Sequence, residues 1–319
     1  MSGLTLGNQA SIFAPQNRFE LRQAVVKYFH DNSTFGYNIT QWDVSAITDF
    51  SHIFRYMVNL TDHDLSAWQV SNAISMAGMF SNCTNFNGNI GNWQVSKVIS
   101  MASMFAEAAA FNQDLSSWDV SSVTDFSFMF YNAGNLNQSG LGSWNVTSGA
   151  NFQGMFLGAV NFTDNISGWD TSNAIDFTDM FNGATVFNTN LSSWNVTNVM
   201  STQGTFDTAS AFEHDIVAWN VRNVMDMSRM FRLTNISSNY CDWRGQSSQT
   251  LVGRMFFGNQ ACVSQRDPAS NASDPSILIG PFCHDCAGET AAAVGMYSFT
   301  SSFGPTMLLL GILMYFILP

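Results

Sequence analysis

The chain has 319 residues and a formal net charge of −12, from 11 Lys and Arg against 23 Asp and Glu. Apolar residues make up 46% of the chain and charged residues 11%, which excludes a disordered polyelectrolyte and favours a folded protein with a polar, largely neutral surface. No Lys or Arg occurs from Val98 to Val221, which argues against binding to nucleic acid or to an anionic membrane surface because both attract clustered cations.

The first predicted element is a helix that precedes the repeats. Residues 1–17 are predicted to be disordered, and residues 18–38 are predicted to form an N-terminal helical cap. Leu21 and Val25 fall on one face of this helix, and Asn17 suits the N-cap position because its side chain can accept a hydrogen bond from the first turn. We expect the apolar face to cover the first repeat.

The centre of the chain is a tandem repeat with a period of about 25 residues. The nine tryptophans mark it at nearly constant intervals: Trp42, Trp68, Trp93, Trp118, Trp144, Trp169, Trp194, Trp219 and Trp243. A phenylalanine recurs at the twelfth position after the tryptophan: Phe54, Phe80, Phe105, Phe130, Phe156, Phe181, Phe206 and Phe231. Residues that return with a fixed period occupy equivalent places in successive units, so we predict that these rings form the core.

The repeat also predicts the fold class. A unit of about 25 residues is too small to bury several large side chains alone, whereas stacked units bury each ring against its counterpart. Stretches such as NQDLSSWDVSS have the pattern of a short strand, and stretches such as VTDFSFMFYNA have the apolar spacing of a short helix. Residues 39–260 are therefore predicted to form an α/β solenoid of leucine-rich-repeat type, with about nine coils and short parallel strands. The alternative is an all-β right-handed helix.

Four of the five cysteines lie beyond the main repeats: Cys241, Cys262, Cys283 and Cys286. Residues 261–290 are predicted to form a cysteine-containing C-terminal cap or loop, and an even number of cysteines favours two disulfides in any of three connectivities. A redox site and a metal site are the alternatives for the Cys-x-x-Cys pair. The first lacks a βαβ context and the second lacks another cysteine pair, so no metal or other cofactor is predicted. Cys83 replaces an alanine of other repeats and is interpreted as a small core residue.

Residues 291–319 are predicted to be a hydrophobic tail. No charged residue follows Glu289, and the chain ends in MLLLGILMYFILP. The small residues Ala291, Ala292 and Ala293, a polar stretch and an apolar end are typical of a GPI-attachment signal, with these alanines as candidate lipid-attachment sites. A transmembrane helix and a buried helix are the alternatives for this segment.

N-x-Ser/Thr sequons mark candidate glycosylation sites: Asn32, Asn38, Asn59, Asn137, Asn145, Asn195, Asn235 and Asn271. Together with the tail and the paired cysteines, they predict a membrane-anchored glycoprotein of the cell surface. The start of the chain, MSGLTLGNQASIFAPQ, contains no recognisable secretory signal peptide, so this location predicts that the sequence as given begins late. A cytoplasmic protein with a hydrophobic tail is the alternative.

The stretch WQVSKVISMASMFAEAAAFNQDLSSWDVSSVTDFSFMF resembles the repeats of the BspA-like leucine-rich-repeat surface proteins. The lead-in ELRQAVVKYFHDNSTFGYNITQWDVS is similar to the segment before their first coil, and the resemblance covers roughly residues 18–260. It departs from the family pattern at Thr205 and at Thr171, where methionine and valine are usual. The resemblance implies surface proteins that act in adhesion to host or matrix, and it implies no catalytic residues.

The sequence therefore predicts a recognition protein and not an enzyme. We expect an extended polar face of the solenoid to contact an extracellular protein or glycan. Asp119 and Asp170 are not matched in every repeat, so they are interpreted as residues that cap turns. Two alternatives stay open at this point, a polysaccharide-cleaving solenoid enzyme with carboxylates paired across coils and an ice-binding surface.

Overall fold

The structure is a computed structural model, and it describes residues 12–30, 38–137, 139–243, 250–262, 264, 266–270, 278–280 and 283. These residues include one α-helix, α1 (Arg18–His30), and two short antiparallel strands, β1 (Ala269–Ser270) and β2 (Leu278–Gly280). Short 3-10 segments lie at Ile39–Gln41, Leu141–Ser143 and Cys241–Trp243. The predicted hydrophobic tail lies outside the described residues.

No described repeat contains a strand or an α-helix, so the predicted α/β solenoid of leucine-rich-repeat type is wrong, and so is the all-β alternative. Consecutive repeats are joined by isolated parallel bridges, each one residue wide. The bridge residues are Asp49, Ser75, Ser100, Asp125, Asn151, Asp176, Ser201, Asp226 and Leu251. Bridge partners are offset by one period of the sequence. Each repeat therefore forms one coil of a parallel stack, and the coil is built from turns.

The bridges do not extend into strands because a side chain bends the backbone directly after most bridge residues. The Oδ1 atom of Asp125 accepts a hydrogen bond from the main-chain N–H of Ser127 at 3.0 Å. Asp176 makes the same contact with the N–H of Thr178 at 2.7 Å. A side chain that caps the backbone two residues further on forms an Asx turn, which takes that N–H away from a sheet ladder.

The segment with helical apolar spacing is not a helix because two of its residues adopt left-handed backbone angles. In the stretch that was predicted to be helical, Phe128 has φ of 54° and Asn132 has φ of 52°. Left-handed residues cannot continue a right-handed helix. The N–H groups of Phe126 and Phe128 bond instead to Asn151 O at 2.9 Å and Gln153 O at 2.7 Å in the next coil.

The same two positions, the tenth and the fourteenth after the tryptophan, are left-handed in every coil that begins with Trp42 through Trp219. Several are glycines: Gly78, Gly154, Gly158, Gly183 and Gly204. Glycine adopts positive φ without a Cβ clash, so these residues fit the turn and not the predicted helix. The apolar spacing of the segment is therefore produced by alternating turns that direct every third or fourth side chain inward.

The interior of the stack consists of aromatic rings that lie on their counterparts. The nine tryptophans are each 2–4% exposed. Trp118 and Trp144 stack with ring centroids 6.4 Å apart, and the ring centroid of Phe105 lies 5.6 Å from that of Phe130. The indole N–H of Trp118 donates to the main-chain carbonyl of Ile90 at 3.1 Å, so the ring is tied to the preceding coil as well as packed in the core.

Helix α1 closes the N-terminal end of the stack. Asn17 caps it by accepting a hydrogen bond from Glu20 N at 3.0 Å, and Leu21 and Val25 are fully buried. The guanidinium group of Arg22 donates to the carbonyls of Ile53 at 2.7 Å and of residue 55 at 3.2 Å. In later coils the equivalent carbonyls accept N–H groups from the coil before, so Arg22 supplies the donors that the first coil lacks.

Candidate recognition surface

The predicted core residues are not available to a ligand. All nine indoles are buried, and the predicted core phenylalanines Phe80, Phe105, Phe130, Phe156, Phe181 and Phe231 are 0% exposed. A tryptophan that stacks on a sugar ring must present a face to solvent, and none of these does. Any ligand of the described stack must therefore contact its surface residues, which are polar, aliphatic and, at Tyr56 and Phe257, aromatic.

Many carboxylates on this surface are used to build turns. The Oδ1 atom of Asp119 accepts hydrogen bonds from Ser121 N at 3.1 Å and from Ser121 Oγ at 2.6 Å. These bonds lower the pKa of Asp119, and bonds from Ser172 lower the pKa of Asp170 in the same way. Both groups are thus anions at neutral pH, which suits a structural role and excludes a general acid.

One pair of carboxylates behaves differently, because burial raises the pKa of Asp179 and of Asp207. Asp207 is 0% exposed and lies 2.8 Å from Arg232 Nε and 3.4 Å from Arg229 Nη1. Asp179 lies 3.7 Å from Arg229 Nη2. A fully buried carboxylate between two guanidinium groups cannot reach a substrate, so this cluster joins neighbouring coils and is not a catalytic pair.

Two of the four cysteines that were predicted to form disulfides, Cys262 and Cys283, are bonded to each other. Cys241 begins the 3-10 segment Cys241–Trp243, and Cys286 lies outside the described residues. Cys83 carries a free, buried thiol that donates to Phe54 O at 2.9 Å. Burial raises the pKa of Cys83 to about 12, so the thiol is unreactive at neutral pH. In the part of the chain that the structure describes, no three His, Cys, Asp or Glu side chains are grouped to hold a metal.

The predicted glycosylation sites differ in their surroundings. Among those within the described residues, one is half-buried, Asn137, and the others are exposed: Asn38, Asn59, Asn145, Asn195 and Asn235. Asn235 uses its amide nitrogen to donate to Ser210 O at 2.7 Å, whereas Asn195 uses its carbonyl oxygen to accept from Thr197 N at 3.0 Å. Asn32, Asn271 and the lipid-attachment candidates Ala291, Ala292 and Ala293 lie outside the described residues.

A polar face runs along the stack, formed by the residues four positions after the tryptophans from Trp68 to Trp219. Its members are Asn72, Lys97, Ser122, Ser148, Asn173, Asn198 and Asn223, all exposed. Asn173 Nδ2 donates to Thr147 O at 2.9 Å, and Asn198 Nδ2 makes the same bond to Ser172 O at 2.8 Å. Because each of these amides is bonded to the coil before it, the spacing of this face is as regular as that of the core.

The surface of the stack also has a shallow depression, away from the polar face. It has a volume of about 470 Å³ and lies beside Gly140, Asp164 and Asn165. The carboxylate of Asp164 accepts hydrogen bonds from Ser139 N at 3.0 Å and from Leu141 N at 2.8 Å. The repeat here is one residue longer than most, and Asp164 holds the additional residue in place.

The family model described as "Mycoplasma protein of unknown function, DUF285" matches the chain twice, over residues 23–141 and 135–243. No curated protein and no solved structure matches the chain. The description of the family mentions neither leucine-rich repeats nor surface proteins, so the resemblance to BspA-like proteins stays a prediction. Among the described residues, no helix is both long and apolar enough to cross a membrane.

Proposed function

We propose that this chain, which belongs to the DUF285 family, is a recognition protein that binds a macromolecular partner along the repeated surface of its stacked coils. The observation that carries this proposal is the constant register of the surface residues. Bridges and asparagine bonds repeat from coil to coil with the period of the sequence. A surface of this kind offers many equivalent weak contacts, and their combined effect produces affinity without a single deep pocket.

The chemistry of the described side chains supports recognition more than catalysis. An enzyme needs reactive groups that converge on one accessible point. Asp119 and Asp170 cap turns, and Asp207 is enclosed by Arg229 and Arg232. No specific observation favours the polysaccharide-cleaving alternative or the ice-binding alternative.

An extracellular, membrane-anchored location belongs to the same proposal. The disulfide between Cys262 and Cys283 suits an oxidising compartment. The small fraction of charged residues, 11%, suits a chain that carries glycans, and the uncharged C-terminal segment suits an anchor. In this location the partner is a protein or glycan of another cell or of the matrix.

Removing whole coils tests the proposal. Deletion of residues 169–193 removes one period, and deletion of residues 144–193 removes two, so that equivalent residues are rejoined and the stack is shortened without a new surface. The full chain and both variants are assayed against immobilised matrix proteins and glycans, and unfolding curves confirm that each variant is folded. We expect affinity to fall stepwise with each coil removed, because the number of contacts falls.

Two outcomes contradict this proposal. If the full chain binds no matrix protein or glycan, the recognition role is wrong. If incubation of the full chain with a polysaccharide releases new reducing ends, the enzymatic alternative replaces it.

A further inference from the structure

One surface row of the stack is largely aliphatic although it is exposed. It consists of the residues six positions after the tryptophan in the second to the eighth coil, and we refer to it as the edge row. The edge row comprises Ile74, Ile99, Thr124, Ala150, Ile175, Met200 and Met225. Each member precedes a bridge residue by one position, so the edge row runs beside the ladder of bridge residues from Ser75 to Asp226.

The exposure of these side chains is high for large apolar residues. Ile74 and Ile99 are each 49% exposed, Ile175 is 44% exposed, Met200 is 48% exposed and Met225 is 61% exposed. A single exposed isoleucine needs no explanation, but five large apolar side chains aligned in one row, interrupted only by Thr124 and Ala150, are typical of an interaction surface.

The edge row is held in register by the main chain. The N–H of Ile99 donates to Ile74 O at 2.8 Å, and the N–H of Met200 donates to Ile175 O at 2.8 Å. Parallel neighbours bonded in this way are about 4.8 Å apart. The seven side chains therefore form a ridge of about 29 Å, from six intervals of about 4.8 Å.

The surroundings of the edge row are negatively charged. Asp125, Asp176 and Asp226 each follow an edge-row residue directly and are half-buried. Each caps a turn through Oδ1, and none forms an ion pair with a Lys or Arg of the described residues. The absence of Lys and Arg from Val98 to Val221 leaves Asp125 and Asp176 without a cation in the same stretch of sequence.

The first coil shows what chemistry these carboxylates accept. Asp49 occupies the same bridge position as Asp125, and the guanidinium group of Arg18 lies 3.0 Å from its Oδ2 atom. Arg18 begins α1, a helix that contains Arg18, Arg22 and Lys27 and packs apolar residues on the stack. A basic amphipathic helix of the chain itself therefore already pairs with one carboxylate of the bridge ladder.

We infer that the edge row binds a basic amphipathic helix of a partner protein, with apolar side chains on the row and Lys or Arg side chains at Asp125, Asp176 and Asp226. The helical pitch of about 5.4 Å is close to the coil spacing of about 4.8 Å, so one apolar side chain per turn meets roughly one edge-row residue per coil. A ridge of about 29 Å corresponds to a helix of about 20 residues. This inference rests on the proposed function and names the class of partner.

Two other occupants are disfavoured by charge. A second copy of the chain would place like charges opposite one another, because each copy has a net charge of −12. A membrane surface rich in anionic lipid repels the same carboxylates. Of these three occupants, only a cationic helix is favoured by both the apolar contact and the electrostatic contact.

Three synthetic peptides, each long enough to follow the whole ridge as a helix, test the inference. The first has leucines at helical spacing and lysines elsewhere, the second replaces every lysine by glutamate, and the third contains the residues of the first in an order without an apolar face. Binding of each fluorescently labelled peptide to the full chain is measured by anisotropy at low and at high salt. We expect binding of the first peptide alone, with an affinity that falls at least about tenfold at high salt.

A matched pair of triple variants locates the contact. The test variant carries Asp125→Asn, Asp176→Asn and Asp226→Asn, and it keeps the turn caps because Asn151 caps the same turn in its own coil at 3.0 Å. The control variant carries Asp64→Asn, Asp114→Asn and Asp215→Asn. Those residues cap turns four positions before the tryptophans, where Asn89, Asn165 and Asn190 are natural examples. Each variant loses three negative charges.

We expect the test variant to bind the lysine peptide at least about tenfold more weakly, and the control variant to change affinity less than about twofold. Ile99→Ser with Ile175→Ser, two exposed changes, should weaken binding to a similar degree. Equal losses in the test and control variants would show a nonspecific charge effect and overturn the inference. Three further outcomes would overturn it as well. The glutamate peptide could bind as tightly as the lysine peptide. With no peptide binding, the full chain could dimerise in light scattering or bind to zwitterionic or anionic vesicles.

Failure of this inference is distinguishable from failure of the proposed function. If no peptide binds but removal of coils weakens binding to a matrix protein or glycan, the recognition role stands and the edge row is not its contact. If the full chain binds neither the peptides nor any matrix component, both proposals fail.

Discussion

Two coils of the stack differ in how they fill the same interior positions. The coil of residues 93–117 has Met101 and Met104 in its core, whereas the coil of residues 194–218 has Thr202 and Thr205 at the equivalent places. At the thirteenth position after the tryptophan the first has alanine and the second has a fully buried aspartate. We call the first the apolar coil and the second the polar coil.

The polar coil satisfies its buried polar groups with partners. The hydroxyl group of Thr205 donates to Phe177 O at 3.0 Å or to Thr202 O at 2.9 Å. Asp207 is paired with Arg232, which occupies the same position of the next coil as Asp207 does in its own. The comparison shows that the stack requires a constant shape, and that it accepts polar residues where an adjacent coil supplies the complementary group.

The tryptophans should contribute equally to the stability of both coils, because they are buried to the same degree and make the same hydrogen bond. Trp93 and Trp194 each donate to a carbonyl 28 residues earlier, at 3.0 and 3.2 Å, and are 2% and 3% exposed. We expect Trp93→Ala and Trp194→Ala each to lower the free energy of unfolding by about 3–5 kcal/mol. Urea denaturation measures the loss, and hydrogen exchange should show the mutated coil and its neighbours opening before distant coils. A loss in only one of the two coils would contradict the shared role of the indoles.

The buried ion pair distinguishes the polar coil. Arg232→Met leaves Asp207 with the more distant Arg229 alone, and we expect a loss of roughly 2–3 kcal/mol in the free energy of unfolding at neutral pH. Burial raises the pKa of Asp207, so the folded state holds a proton at a pH at which the unfolded chain has released it. The loss should therefore shrink as the pH falls through the folded-state pKa, and it should disappear below the unfolded value of about 3.9.

The matched control for this variant removes both charges. Asp207→Ala with Arg232→Met gives the polar coil the alanine that the apolar coil has at residue 106. We expect the double variant to be more stable than Arg232→Met alone and to show a weaker pH dependence, because no buried charge is left without its partner. Denaturation curves at several pH values test this, and a double variant less stable than the single one would show that the ion pair is not the cause.

The smallest effects concern the left-handed position that comes tenth after the tryptophan. Gly204 has φ of 60°, and a Cβ atom there would lie 2.2 Å from Asp179 Oδ1. We expect Gly204→Ala to cost about 1–2 kcal/mol in the free energy of unfolding. In the apolar coil Ser103 has φ of 56°, and Ser103→Gly should stabilise the fold by about 0.5 kcal/mol by relieving backbone strain. Thermal unfolding measures both changes, and a stabilising Gly204→Ala would contradict this account of the turns.

The period of the sequence was sufficient to predict which residues return at equivalent positions, but not the backbone that joins them. Strand and helix were both wrong because alternation and apolar spacing report only which side chains point inward. Asp125 and Asp176 bend the chain directly after their own bridges, and the sequence pattern alone did not indicate that such turns prevent strands. The available signal against a helix was glycine at Gly78, Gly154 and Gly204, in a segment where a helix disfavours it.

The surface was harder to predict than the interior. Ile99 and Ile175 lie close to buried apolar residues in the sequence, and nothing in a repeat pattern distinguishes an exposed isoleucine from a buried one. Their alignment became visible once the bridges had established the register of neighbouring coils. Asp207 was likewise not predicted to be buried, because its partner Arg232 lies a full repeat away.

Arg22 lies where the N–H groups of a preceding coil would otherwise bond to the first coil. By donating to the carbonyls of residues 53 and 55, Arg22 removes two of the acceptors to which a further coil would bond at that end. Genetic duplication or loss of an internal repeat leaves this closure untouched. The number of coils in this chain can therefore change while the closure by Arg22 is retained.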